Sequence, residues 1–257
     1  CKTIQKVIFI LAVICVSITQ SWADSWKEIF FADPTIFVEN GKYYLTGTRN
    51  REPQGFAILE STDLKHWTVP NGKDLQLILR KGDQAFGEKG FWAPQYFKDK
   101  RTYYFTYTAN EQTVIASSKS VFGPFRQKEV KPIDASAKNI DSFLFKDDDG
   151  KYYLYHVRFN KGNYLWVAEF DIKKGSIKPE TLKQCMDCTE PWEKTPNYKS
   201  APVMEGPTVM KWDGVYYLFY SANHFMNIDY SVGYATASSP FCLLYTSDAA
   251  DELDGVD

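Results

Sequence analysis

Four segments of the sequence share one local pattern, and this repetition constrains the fold more than any other feature of the chain. Each segment follows a polar turn and combines a Tyr-Tyr pair with an apolar residue; the segments are residues 41–46, 101–106, 150–155 and 214–219. Their first tyrosines lie 60, 49 and 64 residues apart. Repeats of roughly 40–50 residues that consist of short strands are typical of propeller blades or of solenoids.

The residues around each Tyr-Tyr pair predict a small antiparallel sheet. A shorter apolar segment and a polar turn precede each pair, and two of these turns contain Asn40-Gly41 and Asp213-Gly214. Asn-Gly and Asp-Gly between two apolar runs are strong hairpin signals. A third apolar segment follows each pair, at residues 56–61, 113–118, 164–168 and 231–236. Two of the units then continue through a turn towards a fourth strand.

The composition also favours strands over helices. Aromatic residues make up 16% of the chain, and they pack well on the pleated surface of a sheet. No helical period is sustained after the N-terminal segment. We therefore predict an all-β fold, a β-propeller with about four blades in this chain and the fourth cut short near Pro240. A β-sandwich is the alternative architecture that the repeat pattern allows.

The N-terminal segment resembles an export signal. Lys2 and Lys6 precede an apolar run at residues 7–18, and small residues lead up to Ala23 as they do at a cleavage site. The apolar run is short for a membrane span. The pattern predicts a signal peptide over residues 1–23, and hence a secreted or periplasmic protein without a transmembrane span after cleavage.

The repeats define the expected limits of the folded domain. We expect the propeller over residues 24–240, incomplete at its C-terminus. Residues 241–257 show no strand alternation and do not continue the repeat, so we expect an atypical tail that is foreign to the domain; a short native tail is the alternative.

Charge and motif content disfavour several classes of function. The chain has 30 Lys+Arg and 32 Asp+Glu, a net charge of -2, so it lacks the basic excess of a nucleic-acid-binding protein. Its 3 histidines are far apart in sequence and leave little for a histidine-rich metal site. Neither a Gly-x-Ser-x-Gly elbow nor a P-loop occurs. The acidic run at residues 147–149 lacks the spacing of calcium ligands and predicts a solvated hairpin turn.

Two cysteines lie close together in a polar segment that predicts a loop. Cys185 and Cys188 have neither a strand before them nor a helix after them, as a redox motif would require. Zinc would need a second pair of ligands, and none is apparent. In an oxidising compartment the simplest interpretation is a disulfide that closes the loop.

Acidic residues recur near the start of the predicted inner strands. Asp33, Asp141 and Glu205 each lie ten or eleven residues before the first tyrosine of their unit, where the second unit has Ala93. The innermost strand of a propeller blade lines the central channel, so we expect the three carboxylates to converge at one mouth. Gathering like charges costs stability, which indicates function. Taken singly, Asp33 and Glu205 also fit as turn residues next to prolines.

Converging carboxylates are the usual apparatus of glycoside hydrolysis. One, ionised, acts as base or nucleophile, and another, protonated, donates its proton to the leaving oxygen. A third carboxylate nearby can keep the acid protonated. Phe91, Trp92 and Phe225 are candidate faces for sugar rings, and Arg158 and His224 are candidate polar contacts because they lie just beyond the strands of their units. The alternative for the last two is an ordinary surface or structural role.

The motifs that contain these acids resemble those of glycoside hydrolase family 43, in the same order along the chain. They are Asp33-Pro34, Trp92-Ala93-Pro94, Ile140-Asp141-Ser142-Phe143 and Glu205-Gly206-Pro207, and the similarity covers about residues 29–240. The resemblance implies a five-bladed β-propeller, of which this chain lacks the fifth blade and the end of the fourth. It also leaves room for a structural calcium or another cation in the channel, although the chemistry requires no cofactor or metal.

The resemblance also implies an inverting mechanism and a role for each carboxylate. Asp33 would be the general base that activates water, Glu205 the general acid, and Asp141 a modulator of the pKa of Glu205 that also orients it. The base and the acid of an inverting enzyme lie roughly 6.5–9.5 Å apart, which leaves room for the water. Family substrates are α-L-arabinofuranosides, β-D-xylosides and arabinans.

The sequence therefore predicts a glycosidase that removes α-L-arabinofuranosyl or β-D-xylosyl residues from plant polysaccharide or oligosaccharides. An endo-arabinanase of the same fold is the alternative within enzymes, because the shape of the loops decides between endo and exo action. A secreted carbohydrate-binding propeller without activity is the alternative outside enzymes. The presence of all three carboxylates argues against that second alternative.

Overall fold

The computed structural model describes residues 29–72, 75–241 and 245–247. Within these ranges the helices are three single turns of 3-10 helix, Pro70–Gly72, Pro179–Thr181 and Pro191–Glu193, and all other regular structure is strand. No helix in the described part of the chain is long and apolar enough to cross a membrane. The all-β prediction is confirmed. The predicted signal peptide lies outside the described residues.

The first blade combines a three-stranded sheet with a strand pair. Its strands are β1 (Ala32–Glu39), β2 (Lys42–Thr48), β3 (Gly55–Ala57), β4 (Leu59–Ser61) and β5 (Leu77–Arg80). The sheet has the order β1-β2-β4, and β3 pairs with β5. The single third strand that the sequence predicts is therefore divided in two, because the chain leaves β2 and pairs with β5 before it reaches Leu59.

The second and third blades are antiparallel meanders. The second blade contains β6 (Trp92–Asp99), β7 (Thr102–Ala109) and β8 (Gln112–Ser118). The third contains β9 (Asn139–Lys146), β10 (Tyr152–Phe159), β11 (Asn163–Asp171), β12 (Ser176–Ile177) and β13 (Lys183–Gln184). β12 and β13 both pair with the outer side of β11. Each blade starts with its inner strand and ends with its outer one.

The fourth blade has the strand order β14-β15-β16-β17. These strands are Met204–Trp212, Val215–Ala222, Ser231–Ala237 and Tyr245–Ser247. Phe241, which the sequence analysis assigns to a foreign tail, packs against Tyr153 with ring centroids 5.3 Å apart. The Tyr155 hydroxyl donates a hydrogen bond to the Pro240 carbonyl at 2.7 Å. Contacts of the domain therefore continue past residue 240.

The predicted two-residue hairpins are present where their turn residues indicate. Asn40 and Gly41 connect β1 to β2 with φ of 51° and 74°, and Asp213 and Gly214 connect β14 to β15 with φ of 48° and 79°. Positive φ at both central residues matches the twist of the two strands. The hairpin of the third blade is longer, because Lys146 pairs directly with Tyr152.

Three apolar cores lie between successive blades. The inner strands β1, β6, β9 and β14 contact one another in chain order, as expected for blades arranged around an axis. Buried Phe56, Phe105 and Phe125 are central to the core of the first two blades. Similar cores join the second blade to the third and the third to the fourth. The aromatic excess of the sequence thus serves mainly to pack blade against blade.

Both ends of the row of blades present apolar surface. Ile36 and Val38 of β1 are 50% and 57% exposed, and Met210 and Trp212 of β14 are 44% and 69% exposed. The equivalent faces of β6 and β9 are covered by neighbouring blades. The four blades thus form a partial propeller rather than a closed ring, in agreement with the prediction.

The predicted loop disulfide is absent from the structure. Cys185 and Cys188 are free thiols, and both belong to the core of the third and fourth blades. Burial raises the pKa of the Cys188 thiol to about 11 and that of Cys185 further, so both are protonated at neutral pH. The prediction of a disulfide is wrong because the segment packs inward as part of an apolar core instead of forming an open loop.

Candidate active site

All four inner strands carry the same irregularity close to their N-terminal ends. In each, two residues lie opposite a single residue of the partner strand; the pairs are Asp33-Pro34, Ala93-Pro94, Asp141-Ser142 and Gly206-Pro207. Such a β-bulge bends the strand and redirects its side chains. The first residue of each pair has a positive φ, of 47°, 44°, 53° and 64° in the same order. The bulge is therefore a repeated feature of the fold.

The bulge conformation is costly where the residue is not glycine. Left-handed backbone costs an L-residue about 1–2 kcal/mol, and Asp and Asn tolerate it best. Asp33 and Asp141 both adopt it. Backbone strain of this kind concentrates at functional sites, where the surrounding structure holds it in place. Ala93 adopts this conformation as well, so the strain belongs to the repeated bulge, and the two carboxylates occupy a backbone position that the fold already constrains.

The structure corrects the predicted equivalence of the three carboxylates. Asp33 and Asp141 occupy the first position of their bulges, whereas Gly206 occupies that position in the fourth blade. Glu205 lies one residue earlier, opposite Ser221. The distance to the first tyrosine of the unit does not show this offset. The third unit has one more residue between its bulge and its tyrosine than the fourth, so Asp141 and Glu205 both lie eleven residues before their tyrosines. The longer side chain of Glu205 thus starts from a different point of the strand.

Threonine hydroxyls connect the bulges of neighbouring blades. The Thr48 hydroxyl donates to Asp33 Oδ2 at 2.5 Å and accepts a hydrogen bond from the Ala93 N–H at 2.9 Å. The Thr108 hydroxyl accepts from the Asp141 N–H at 3.0 Å. Both threonines are at most 5% exposed. Buried polar groups with satisfied partners hold one geometry, so these bonds fix the start of each inner strand against the preceding blade.

In the third blade the Asp141 carboxylate takes the role that a threonine hydroxyl has in the first two blades. Thr48 and Thr108 each pair with the residue just before a bulge, and the equivalent residue of the third blade is Val157, which has no hydroxyl. The Gly206 N–H instead donates to Asp141 Oδ2 at 3.1 Å. This bond ties the Asp141 carboxylate to the strand segment that carries the third acid.

The surroundings of Asp141 favour its neutral form. Burial among protein atoms, followed by the charges of Glu205 and Asp33, raises the pKa of Asp141 from 3.8 to about 7. The hydrogen bond from Gly206 opposes this shift. The charges of both other acids act on Asp141, so Asp33 and Glu205 lie within electrostatic reach of it.

Glu205 also binds its proton more tightly than an exposed glutamate. Burial is the main cause of its raised pKa, and the charge of Asp33 adds to it. Two neighbours act in the opposite direction, the Tyr230 hydroxyl, which donates to Glu205 Oε1 at 2.9 Å, and His224. The charge of Asp33 acts on both Asp141 and Glu205, and the charge of Glu205 acts on Asp141, so these last two carboxyl groups do not titrate independently.

An aromatic stack lies beside Glu205. The His224 ring is sandwiched between Tyr198, with centroids 5.3 Å apart, and Phe225, at 4.7 Å. Phe225 is 66% exposed. Asn223, fully buried and bonded through its side chain to the backbone of the 192–195 segment, holds the start of this loop. Two of the predicted substrate contacts, His224 and Phe225, therefore lie together near one acid.

The prediction for Phe91 is wrong, because its side chain is a core residue. Phe91 is 4% exposed, and its ring contacts Phe56 and stacks on Tyr107 with centroids 6.0 Å apart. It has no free face for a sugar ring. Trp92, the next residue, is half-buried and directly precedes the bulge residue Ala93. Side chains alternate along a strand, so neighbouring aromatics of the sequence point in opposite directions.

Arg158 has a structural role instead of the predicted contact with substrate. The residue is 9% exposed, and its guanidinium forms an ion pair with Asp134. The same group bonds the Ser136 hydroxyl at 3.0 Å and lies 5.6 Å from the Trp166 ring centroid. These contacts anchor the segment that leads into the third blade. A ligand would have to displace a nearly buried ion pair to reach Arg158.

Sequence reasoning did not identify Thr48, Thr108, Tyr198 or Tyr230. The two threonines could have been found from the sequence, because each lies near the end of the second strand of its unit in the pattern Thr-x-Thr. Tyr198 and Tyr230 leave none, because they come from irregular segments that only the fold brings to Glu205.

The acidic run at residues 147–149, for which the sequence predicts a solvated turn, also contains a buried residue that links two blades. Asp147 is 8% exposed and accepts hydrogen bonds from Lys211, at 2.8 Å, and from the Tyr216 hydroxyl, at 2.5 Å. It thus bridges the third and fourth blades.

Across residues 29–72, 75–241 and 245–247, no three His, Cys, Asp or Glu side chains form a group that could hold a metal ion.

Comparison with known proteins shows the family of the chain. Residues 27–243 match the family described as Glycosyl hydrolases family 43. A solved endo-1,4-β-xylanase from Bacteroides thetaiotaomicron superposes with a TM-score of 0.73 at 41% identity, covering 84% of this chain and 72% of that one. A thermostable family-43 glycoside hydrolase superposes with a TM-score of 0.74 at 30% identity, covering 85% and 72%.

Curated relatives are more distant and longer. A β-D-galactofuranosidase from Aspergillus niger is 27% identical over 82% of this chain, which spans 62% of that protein. An extracellular endo-α-(1→5)-L-arabinanase from Bacillus subtilis is 27% identical over 80% of the chain, which spans 65% of it. The match to the family covers most of the chain and includes all three acids and all four bulges. The chain therefore belongs to glycosyl hydrolase family 43.

Proposed function

We propose that this protein is an inverting glycoside hydrolase that removes α-L-arabinofuranosyl or β-D-xylosyl residues from plant polysaccharide or oligosaccharides. The observation that carries the proposal is the electrostatic coupling of Asp33, Asp141 and Glu205 at the starts of three inner strands. Two of them sit on strained bulges. Stability gives no reason to gather three acids in this way. Membership of the family supports the same activity.

In the proposed reaction Asp33 is the general base and Glu205 the general acid. Asp33 takes a proton from water as the water oxygen bonds to the anomeric carbon. Glu205 gives its proton to the glycosidic oxygen as the bond from that carbon to the oxygen breaks. Asp33 ends protonated and Glu205 ionised, and solvent restores both. Thr48, which donates to one oxygen of Asp33, leaves the other to accept the proton of the water.

Asp141 positions the acid and keeps it protonated. Its bond from the Gly206 N–H holds it next to the peptide of Glu205. When Asp141 is ionised, its charge disfavours a second negative charge on Glu205. The pKa of Glu205 is raised, mainly by burial, which is the direction that a general acid requires. The reaction requires no cofactor and no metal, since the carboxylates supply both proton transfers.

Substrate contacts in this proposal come from the aromatic stack at Glu205. Half-buried His224 lies near the acid that protonates the leaving group, exposed Phe225 stacks on His224, and half-buried Trp92 lies beside the second bulge. Aromatic rings bind the apolar faces of sugars through large contact areas at small entropic cost. The partner of the protein is accordingly an oligosaccharide or a polysaccharide.

Endo action is the second candidate, and two of the similar proteins support it. An endo-arabinanase is among the curated relatives, and the similar structure at 41% identity is an endo-1,4-β-xylanase. We also propose that the protein is secreted or periplasmic, which the N-terminal pattern and the extracellular relative both support.

Sugar release from defined substrates tests the proposal. The purified chain is offered aryl α-L-arabinofuranoside, aryl β-D-xyloside, linear arabinan and xylan, and products are separated by chain length. Monosaccharides from the chain ends indicate exo action, and a ladder of oligosaccharides indicates endo action. The anomeric form of the first product, followed by NMR, is inverted if water attacks directly.

Two variants serve as controls on the assignment. Asp33→Asn and Glu205→Gln remove the base and the acid with little change of shape, and each should lower kcat at least 10²-fold, as general acid-base catalysis requires. Activity that survives both substitutions would contradict the assignment. Binding of arabinan or xylan without any release, in a chain shown to be folded, would favour the binding propeller without activity.

A further inference from the structure

A second groove lies away from the three carboxylates, on the outer side of the junction of the second and third blades. Its volume is about 530 Å³, within the range of small-molecule binding sites. The segment at residues 126–131 forms one wall, and the turn at residues 172–176 forms the other. Gly175 of this turn approaches Ile115 so closely that a Cβ atom there would lie 3.4 Å from the Ile115 side chain. The two blades therefore form the groove jointly.

Strands β7 and β8 form the floor of the groove, and its walls are cationic. Tyr104 and Ile115 contribute apolar surface to the floor, and Ile172 contributes apolar surface to the wall at residues 172–176. Five cationic side chains line the groove against one anionic side chain, Glu129; the cations are Arg126, Lys128, Lys131, Lys173 and Lys174. The whole chain carries a net charge of -2, so this concentration of positive charge is local. A cleft with walls of one charge raises the local concentration of oppositely charged ligands.

Most of this positive charge is not neutralised within the protein. Lys131 pairs with Glu129 at 2.7 Å, and Lys174 lies 3.8 Å from Asp171. Arg126 and Lys128 form no ion pair with any residue of the described ranges, and Lys173 forms none either, although its charge acts on nearby Asp171. Like charges gathered on two facing walls repel one another, and a folded chain gains nothing from that arrangement without a ligand. The groove is thus prepared for an anion.

We propose that this groove binds the carboxylate groups of uronic acid residues in a polysaccharide, as a second sugar site separate from the three acids. The proposal rests on the proposed function, since it assumes that the protein acts on polysaccharides. Cations on the walls bind the carboxylates, and the apolar floor with the Tyr104 ring binds the faces of the sugar rings. A nucleic acid is the less favourable ligand, because its long charged backbone would also meet the excess of acids elsewhere on this protein.

The site would hold acidic polysaccharide while the carboxylate cluster cleaves neutral sugars attached to it. None of Asp33, Asp141 and Glu205 lines the groove. Binding there therefore raises the local concentration of substrate without taking part in the reaction. The expected consequence is a lower KM for uronate-containing polymers than for neutral ones of equal length, with kcat unchanged.

Calorimetry with a short acidic sugar tests the site. Tetragalacturonic acid is the probe, neutral xylotetraose is the control ligand, and both are titrated into the chain at 50 mM and 300 mM salt. We expect the acidic probe alone to bind in this groove, more weakly at high salt. The variant Arg126→Gln/Lys173→Gln should weaken that binding about tenfold, because each exposed ion pair contributes up to about fivefold. Lys65→Gln/Lys89→Gln, at exposed lysines outside the groove, should leave it unchanged.

The outcomes separate this proposal from the proposed function. Equal binding of the acidic probe by the groove variant and the wild type would overturn the groove, as would the absence of binding. Competition by inorganic phosphate at low millimolar concentration would indicate a general anion site and would also overturn the sugar assignment. Hydrolysis of aryl glycosides should be unaffected by the groove variant, and Glu205→Gln should keep full affinity for the probe. If the wild type hydrolyses nothing and yet binds the probe through Arg126 and Lys173, the proposed function fails and the groove stands.

Discussion

Replacing Asp141 by Asn should change how the stability of the protein depends on pH. The substitution removes a charge and little else. Asn tolerates the φ of 53° that the bulge requires, and its amide oxygen can still accept the hydrogen bond from the Gly206 N–H. Any difference between the two proteins therefore reports the ionisation of this carboxyl group.

The sign and size of the effect follow from the raised pKa. Asp141 titrates near 7 in the folded state and near 3.8 when unfolded, so between these values only the unfolded chain loses the proton. Ionisation then favours unfolding by 1.36 kcal/mol per pH unit, and the wild type loses up to about 4 kcal/mol as pH rises from 4 to above 7. Because Asp141 keeps partial exposure, we expect roughly half of this, about 2 kcal/mol.

Urea unfolding at pH 5 and pH 8, followed by tryptophan fluorescence, measures the difference. The variant should gain about 1–2 kcal/mol relative to the wild type on going from pH 5 to pH 8, at equal slopes of the two transitions. Asp83→Asn, at an exposed position, is the matched control and should show no such change. Identical pH dependence of the wild type and Asp141→Asn would refute the raised pKa of Asp141.

Three further predictions concern individual side chains. Tyr230→Phe removes the donor to Glu205 Oε1, so the pKa of Glu205 rises and the alkaline limb of the kcat/KM profile should move up by roughly one pH unit; an unmoved limb contradicts the assignment of Glu205 as acid. Thr48→Val removes both the donor to Asp33 and a buried acceptor and should cost about 1–3 kcal/mol in urea unfolding, whereas Thr48→Ser should cost less. Asp147→Ala leaves the Tyr216 hydroxyl without its acceptor, while Lys211 keeps its ion pair with Asp148 at 2.9 Å, so it should cost about 1–3 kcal/mol in urea unfolding; unchanged stability would show that the Asp147 contacts are unimportant.

The repeating unit and the blades that it forms can be predicted from the sequence. Tyrosine pairs, Asn-Gly and Asp-Gly turns and alternating apolar residues are local signals, and they act within a few residues of where they are read. They were enough to predict four all-β blades and three acids at the starts of inner strands. The family motifs around Asp33, Asp141 and Glu205 predicted the same site, because the positions that hold the chemistry are contiguous with the bulges.

The tertiary structure alone decided which side chains reach the site. Phe91 and Trp92 are neighbours in sequence, and only packing between blades shows that one is core and the other is not. Arg158 is similarly taken up by a buried ion pair with a distant residue. Tyr230 reaches Glu205 across a loop of no recognisable pattern. Contacts between blades join residues far apart in the chain, and no local signal records which partners they will find.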